Sequence, residues 1–169
     1  MTPDMKTIRS RNELQAAVAA GAQPEYLFFW GHRPAAGGKV GASCMSQWYD
    51  AGFEHEGVHY ATAEHFMMAG KARLFGDEQA VAQILAAPGP DKVKAIGRRV
   101  KNYDDDLWNR ERYAVVVAGN LAKFSQHAAL KAFLLGTGDK VIVEASPVDA
   151  IWGIGLAKDD PAAARPQRS

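Results

Sequence analysis

The chain has 169 residues and a formal net charge of +1, with 20 Lys and Arg against 19 Asp and Glu. Hydrophobic residues make up 47% of it and charged residues 23%, a balance that excludes a largely disordered or fibrous protein and fits one domain with a buried core. Because the charges nearly cancel, a global attraction to long nucleic acids is excluded, although a local basic patch is not.

The single cysteine, Cys44, excludes an internal disulfide framework and a multi-cysteine metal site, and we expect it to be a small buried residue. Residues 1–15 lack the apolar segment of a signal peptide. The longest apolar run, residues 114–118, is far shorter than the about 20 residues that span a bilayer. Nucleotide-binding and hydrolase motifs such as G-x-G-x-x-G and G-x-S-x-G are absent. We therefore expect a soluble, cytoplasmic protein without a cofactor.

The N-terminal part of the chain predicts one helix and one strand. Ser10 and Glu13 have the spacing of a capping box, which predicts a short helix after Ser10. The aromatic run at residues 26–30 predicts a buried strand. Residues 34–42 contain glycines and a proline that interrupt any periodicity, so they predict a loop or the tip of a hairpin.

The middle of the chain predicts a short hairpin followed by a helical region. Residues 53–60 form two short extended pieces that turn at Glu56-Gly57. Capping residues and breakers then delimit five helices. The first is expected at residues 63–75 after the N-cap Thr62, the second runs from Asp77 to the break at Pro88-Gly89-Pro90, and the third covers residues 91–101. The fourth runs from the caps Asp104–Asp106 through Leu121. The fifth is capped by Ser125 and ends at Gly136.

The C-terminal part predicts a strand at residues 140–144 and a turn-rich loop at residues 147–155. The fold class is therefore α+β, a mostly helical single domain with a small sheet from both ends of the chain. We expect an N-terminal extension with a short helix at residues 1–24, the domain at 25–157, and a polar tail at 158–169 with no apolar face to pack.

One face of the helix that begins after Thr62 carries two charged side chains on an apolar stripe. Glu64 and Lys71 are seven residues apart, which places them on the same face about 10 Å apart along the helix axis. Glu64 could simply complement the helix dipole, and Lys71 could extend its charged end into solvent. The functional interpretation is a carboxylate and an amine that face one cleft.

Other candidate residues carry weaker signals. His55, His59 and His65 have zinc-binding side chains, but a glycine in an extended segment separates the first two, so no metal site is expected. Lys94, Arg98 and Lys101 share a helix face that is either simply solvated or a phosphate-binding patch, where a guanidinium such as Arg98 could bind bidentately.

Several short motifs, taken together and in order, resemble the NADAR superfamily and within it the YbiA-type N-glycosidases. The resemblance covers residues 26–157. The motifs are Ser46-Gln47-Trp48, Gly57-Val58-His59-Tyr60-Ala61-Thr62-Ala63-Glu64-His65, Lys71-Ala72, Phe75-Gly76-Asp77, Gly97-Arg98, Trp108, Lys123-Phe124, Leu134-Leu135-Gly136-Thr137-Gly138, Val143-Glu144 and Asp149-Ala150-Ile151-Trp152-Gly153.

This resemblance implies an enzyme that hydrolyses the C–N bond between a ribose phosphate and a base. The YbiA-like branch acts on ribosylamino-pyrimidine phosphates, early riboflavin-pathway intermediates, and other branches are associated with ADP-ribose, including its removal from guanine. The resemblance implies Glu64, Lys71 and Asp149 as catalytic residues. Together with the residue patterns, it leads us to expect a set of substrate-binding residues, namely Ser46, Gln47, Trp48, Arg98, Trp108, Trp152 and Gly153.

The chemistry leaves the division of roles open. Either Glu64 or Asp149 stabilises positive charge on the ribose or orients water, while the other positions the ribose hydroxyls. Lys71 either holds a phosphate or forms a Schiff base with ring-opened ribose. The tryptophans are candidates for stacking on the base, although Trp108 is also typical of a core residue.

The sequence departs from the family pattern in two places. Ser46-Gln47-Trp48 stands where the family often has Ser-Asn-Phe, which would reshape the sugar pocket. The closing segment with a final helix is expected to be missing after residue 157. The rival interpretations are therefore a module that binds ADP-ribose or a related nucleotide without turnover, and a homodimer whose second copy covers exposed apolar surface.

Overall fold

The computed structural model describes residues 4–166, which form six α-helices and four short strands. Gln47–Ala132 forms one compact unit, and the segments on either side of it form the other. The α+β, mostly helical class is confirmed. Within the described part of the chain, no helix combines the length and apolarity needed to cross a membrane.

The unit formed by the two ends of the chain contains the predicted small sheet. Strand β1 (Tyr26–Phe29) pairs in parallel with β4 (Val141–Glu144). The side chains of β1 are half-buried rather than buried, because a sheet of two strands offers little surface to cover them. Helix α1 (Arg11–Ala19) begins with the predicted capping box, in which the Ser10 and Glu13 side chains each accept a hydrogen bond from the other residue's backbone N–H.

Two other segments of this unit were less certain from the sequence. Residues 34–42 form the predicted loop rather than a hairpin tip, and the loop contains the single-turn 3₁₀-helix Ala36–Gly38. The prediction that the tail has no apolar face to pack is wrong within residues 158–166, where Ala163 is buried and the Pro166 carbonyl accepts a hydrogen bond from Gln15 at 2.6 Å. Small alanine side chains let this turn pack closely without a large apolar residue. The rest of the predicted tail, residues 167–169, lies outside the described residues.

The other unit opens with the predicted hairpin, formed by β2 (Phe53–His55) and β3 (Val58–Tyr60) in antiparallel pairing. Its turn residues Glu56 and Gly57 have φ angles of 49° and 75°, the left-handed conformations that tight hairpin turns require. Four helices follow in this unit, α2 (Ala63–Leu74), α3 (Glu78–Ala86), α4 (Pro90–Gly97) and α5 (Asp105–Gln126). Helix α6 (Ala128–Gly136) begins in this unit and ends in the other one.

The predicted N-caps of α2, α3 and α5 are confirmed, since Thr62, Asp77 and Asp104 each accept a backbone N–H of the first turn. Helix α4 ends at Gly97 and not near residue 101, because the Lys101 N–H donates to the Asp77 carboxylate at 2.9 Å instead of continuing the helix. Lys101 therefore does not extend the helix face of Lys94.

The prediction that Ser125 caps a new helix is wrong. Helix α5 continues through Ser125, whose hydroxyl donates to the Ala122 carbonyl at 3.1 Å inside the helix. Ala122 and Phe124 are buried, so the apolar packing of this last turn outweighs the capping preference of a serine.

Helix α2 lies at the centre of the core of this unit and contacts α3, α4 and α5. Glycines permit two of these contacts. A Cβ at Gly97 on α4 would overlap the Met68 side chain, and a Cβ at Gly119 on α5 would lie 2.6 Å from the Phe66 ring. Since α2 carries both Glu64 and Lys71, its burial determines the surroundings of both side chains.

Candidate active site

Glu64 lies in the first turn of α2 and is only 4% exposed. Its backbone N–H donates to the Gln47 carbonyl at 3.0 Å, and the Gln47 side chain accepts from the Asn120 amide at 2.8 Å. The positive end of the helix dipole favours a carboxylate at this position. The structure thus brings two of the predicted site residues, Glu64 and Gln47, into contact through the backbone.

His65 fixes the N-terminus of α2 by using both ring nitrogens. Its Nε2 lies 3.0 Å from the Ala87 carbonyl, which can only accept, so Nε2 is the donor. In the neutral ring Nδ1 then accepts from the Thr62 hydroxyl at 2.8 Å. A ring with both nitrogens engaged is a structural residue, and it ties the turn that carries Glu64 to the connection between α3 and α4.

Within residues 4–166, no group of three or more His, Cys, Asp or Glu side chains is placed so that it could hold a metal ion. The histidines are in different surroundings. The centroid of the His55 ring lies 5.1 Å from that of the Phe66 ring, and His59 is exposed. His65 is buried, and both of its ring nitrogens are hydrogen-bonded.

Lys71 lies two turns further along α2 with its amine among aromatic rings. Nζ donates to the Gly97 carbonyl at 2.8 Å and lies 4.4 Å from the centroid of the Tyr103 ring and 5.8 Å from that of Trp108. Burial lowers the pKa of Lys71, while the negative charge of Asp105 acts in the opposite direction. The amine is thus held in place and is more easily deprotonated than that of an exposed lysine.

Tyr103 is a component of this site that the sequence reasoning missed. Its hydroxyl donates to Asp105 at 2.7 Å, which raises the pKa of Tyr103, and its ring meets the Phe75 ring at 5.4 Å and 62°. The available signal was an aromatic residue directly before the Asp104 cap of the helix that carries Trp108.

The other predicted residues of this unit have diverse surroundings. Trp108 is buried, as expected of a core residue, and its ring centroid also lies 5.8 Å from the Lys71 amine. Trp48 is half-buried, with the Lys94 amine 5.8 Å from its ring centroid. Arg98 is exposed and is the C-cap of α4, next to the glycine whose carbonyl binds Lys71.

The remaining predicted site residues belong to the unit formed by the chain ends. Asp149 accepts from the backbone N–H groups of Ile151 and Trp152 at 2.8 and 3.1 Å, which shapes the loop after β4. A Cβ at Gly153 would lie 2.8 Å from the Asp149 carbonyl oxygen, so only glycine fits there. Ser46 is half-buried after a 3₁₀ turn. The roles predicted for Asp149, Trp152, Gly153 and Ser46 stay predictions.

Lys123 on α5 belongs to one of the motifs of the resemblance, but the sequence reasoning gave it no role. It is completely buried, with its amine 5.1 Å from the Phe124 ring centroid and 5.6 Å from that of Tyr49. A lysine between two apolar residues, Ala122 and Phe124, on the inner side of a helix was the signal that could have identified it.

Comparison with known proteins gives consistent matches. The model of the NADAR domain matches residues 28–169. The chain is 42% identical over 137 residues to N-glycosidase R617 of Acanthamoeba polyphaga mimivirus, which covers 78% of this chain and 79% of that protein. It is 34% identical over 103 residues to the chloroplastic riboflavin biosynthesis protein PYRR of Zea mays, covering 57% of this chain and 16% of that protein. The NMR structure of the E. coli protein YbiA matches with a TM-score of 0.65 and 27% identity, covering 78% of this chain and 73% of that one.

Proposed function

Since this chain belongs to the NADAR family, we propose that it is an N-glycosidase that hydrolyses the C–N bond between a ribose phosphate and a base. The proposal rests on two side chains of α2, the buried carboxylate of Glu64 and the amine of Lys71, whose pKa burial lowers. Relatives that are named N-glycosidases, such as R617, support the same class of reaction.

Breaking the C–N bond sends its electron pair to the base nitrogen and leaves positive charge on the ribose ring. A carboxylate that is withdrawn from bulk water stabilises such charge more strongly than an exposed one. In the proposed reaction Glu64 takes this role, and the oxygen of a water molecule bonds to C1′ while one proton of that water passes to the departing base nitrogen. Asp149 then positions the ribose hydroxyls.

As an alternative to direct attack by water, Lys71 suits a covalent route. An amine with a lowered pKa has a larger unprotonated fraction at a given pH than an ordinary lysine, so it is the better nucleophile. Its Nζ bonds to C1′ of the ring-opened ribosylamine, and the base leaves as a free amine. Water then hydrolyses the C1′=N bond, which restores Lys71 and releases the ribose phosphate.

The proposed substrates are ribosylamino-pyrimidine phosphates of riboflavin biosynthesis. The name of the maize relative, a riboflavin biosynthesis protein, supports this class. The exposed guanidinium of Arg98, one residue beyond the carbonyl that binds Lys71, is the proposed phosphate contact. In this proposal the partner is a small phosphorylated ribosyl compound.

The test incubates purified protein with a ribosylamino-pyrimidine phosphate and follows release of ribose 5-phosphate, with ADP-ribosylated guanine in a parallel reaction. We expect release by the wild type and by Glu111→Gln, an exposed carboxylate on α5 that serves as the control. Loss is expected in Glu64→Gln combined with Asp149→Asn. Release that survives the double substitution would contradict the carboxylate roles, and binding without release would identify a binding module.

Borohydride added during turnover tests the covalent route. Reduction of the C1′=N bond should leave a ribosyl adduct on Lys71 that peptide mass spectrometry detects, and the adduct should be missing from Lys71→Arg. Turnover without any adduct would leave Lys71 the alternative role of holding the phosphate.

A further inference from the structure

Tyr103 lies in the connection between α4 and α5 and contacts the amine of Lys71. Its ring centroid is 4.4 Å from Nζ, within the distance at which an aromatic face attracts an ammonium group. Tyr103 is 45% exposed, whereas Trp108, the other ring near this amine, is 5.8 Å away and only 7% exposed. The closer and more accessible ring is therefore that of Tyr103.

Two contacts restrain the Tyr103 ring. The hydroxyl donates to Asp105, the first residue of α5, at 2.7 Å. The edge-to-face contact with Phe75, at the C-terminal end of α2, joins the ring centroids at 5.4 Å. The ring thus spans from the end of one helix to the start of another, so its position follows the packing of the core.

The restrained ring limits where the Lys71 amine can lie. A lysine side chain has four flexible methylene groups, and a single hydrogen bond to the Gly97 carbonyl leaves it much of this freedom. A ring fixed against the amine removes most of the conformational freedom that the Lys71 side chain still has. We propose that Tyr103 is a positioning residue, which holds the Lys71 amine in the orientation that the reaction needs. This inference rests on the proposed function of Lys71.

The two parts of the tyrosine side chain have separable roles. The aromatic face holds the amine, while the hydroxyl anchors Asp105 at the start of α5. Tyr103→Phe keeps the face and removes the anchor. Tyr103→Leu removes the face and keeps an apolar side chain. Tyr113→Leu is a matched control, because Tyr113 on α5 is 71% exposed.

The experiment measures kcat and KM for base release together with the ε-methylene resonance of Lys71 in isotopically labelled protein, assigned with Lys71→Arg. In Tyr103→Leu we expect kcat to fall about 10-fold or more with KM within about 3-fold, because a small displacement of a reacting group lowers the rate steeply. The ring-current shift of the Lys71 resonance should decrease in this variant. Tyr113→Leu should keep both the rate and the shift. Tyr103→Phe, which keeps the aromatic face and the contact with Phe75, should lose less of either than Tyr103→Leu.

Three results would overturn the proposal. They are an unchanged kcat in Tyr103→Leu, an equal loss in Tyr103→Phe, and a raised KM at constant kcat, which would make Tyr103 a substrate contact. If Tyr103→Leu fails to fold, Tyr103→Met provides the same comparison. A wild type that releases no base would contradict the proposed function, while the Lys71 resonance in the variants would still decide whether Tyr103 positions the amine.

Discussion

The amine of Lys71 is subject to opposing influences. Burial disfavours its charged form and lowers its pKa, whereas the negative charge of Asp105 favours the ammonium. The aromatic face of Tyr103 also attracts the ammonium. The protonation state of this group is therefore determined by its neighbours, and single substitutions should change it in directions that can be stated in advance.

Asp105→Asn should lower the pKa of Lys71 further. The negative charge of Asp105 raises this pKa, so without it the ammonium loses its proton at a lower pH than in the wild type. An NMR titration of the Lys71 side chain measures the shift. Asp106→Asn, one position along the same exposed helix turn, is the control and should leave the titration unchanged. A pKa that rises in Asp105→Asn would contradict this electrostatic description.

His65→Ala should destabilise the protein by about 2–4 kcal/mol, since it leaves the Ala87 carbonyl without its donor and empties a buried site. Urea unfolding gives the free energy. The exposed His59→Ala is the control, with an expected change within about 0.5 kcal/mol. Equal effects of the two substitutions would show that the hydrogen bonds of His65 do not fix the turn that carries Glu64.

Among the helices, α2 is unusual because it is buried on almost every side. Such a helix needs small residues on its neighbours, and Gly97 and Gly119 supply them on α4 and α5. The Phe66 ring fills the space beside Gly119, and a flat, rigid ring cannot bend away from an added methyl group.

Gly119→Ala should therefore lower the free energy of unfolding by about 1–3 kcal/mol, because the clash with Phe66 outweighs the higher helix propensity of alanine. Gly136→Ala on α6 is the matched control, since an added Cβ there meets no atom within 4 Å. Urea denaturation of both variants measures the difference. A stabilised Gly119→Ala would show that α2 and α5 are packed less tightly than described.

At the scale of the whole molecule, the chain ends form their own unit. Strands β1 and β4 come from opposite ends of the sequence and pair in parallel, which requires a long connection between them. In the same unit the turn around Ala163 packs through a buried methyl group, and the Pro166 carbonyl accepts hydrogen bonds from Arg11 and Gln15 on α1. The segment from 158 to 166 thus contributes to the stability of this unit.

Ala163→Asp should destabilise the protein by about 2–4 kcal/mol, because it places a charged group at a buried position. Ala164→Asp, at the exposed neighbouring position, should change the free energy of unfolding by less than about 0.5 kcal/mol. Thermal or urea unfolding distinguishes the two. If both variants match the wild type, the turn is not packed in solution.

Features that depend on a few neighbouring residues were predictable. The caps at Ser10, Thr62 and Asp77 and the turn at Glu56-Gly57 follow from hydrogen bonds and backbone conformations within about four residues. The same holds for Glu64 and Lys71 on one helix face, because helical periodicity alone places them there.

Long-range packing decided the rest. Helix α5 passes through Ser125 because its last turn is buried, and α4 ends early because Asp77, 24 residues before Lys101, binds the Lys101 backbone. The position of Tyr103 against Lys71 likewise depends on how α2, α4 and α5 meet. Local patterns contain no information about such contacts, since the energy of burial comes from residues distant in the chain. The placement of Glu64 and Lys71 on one helix face was thus readable from helical spacing, and the surroundings of both side chains came from the fold.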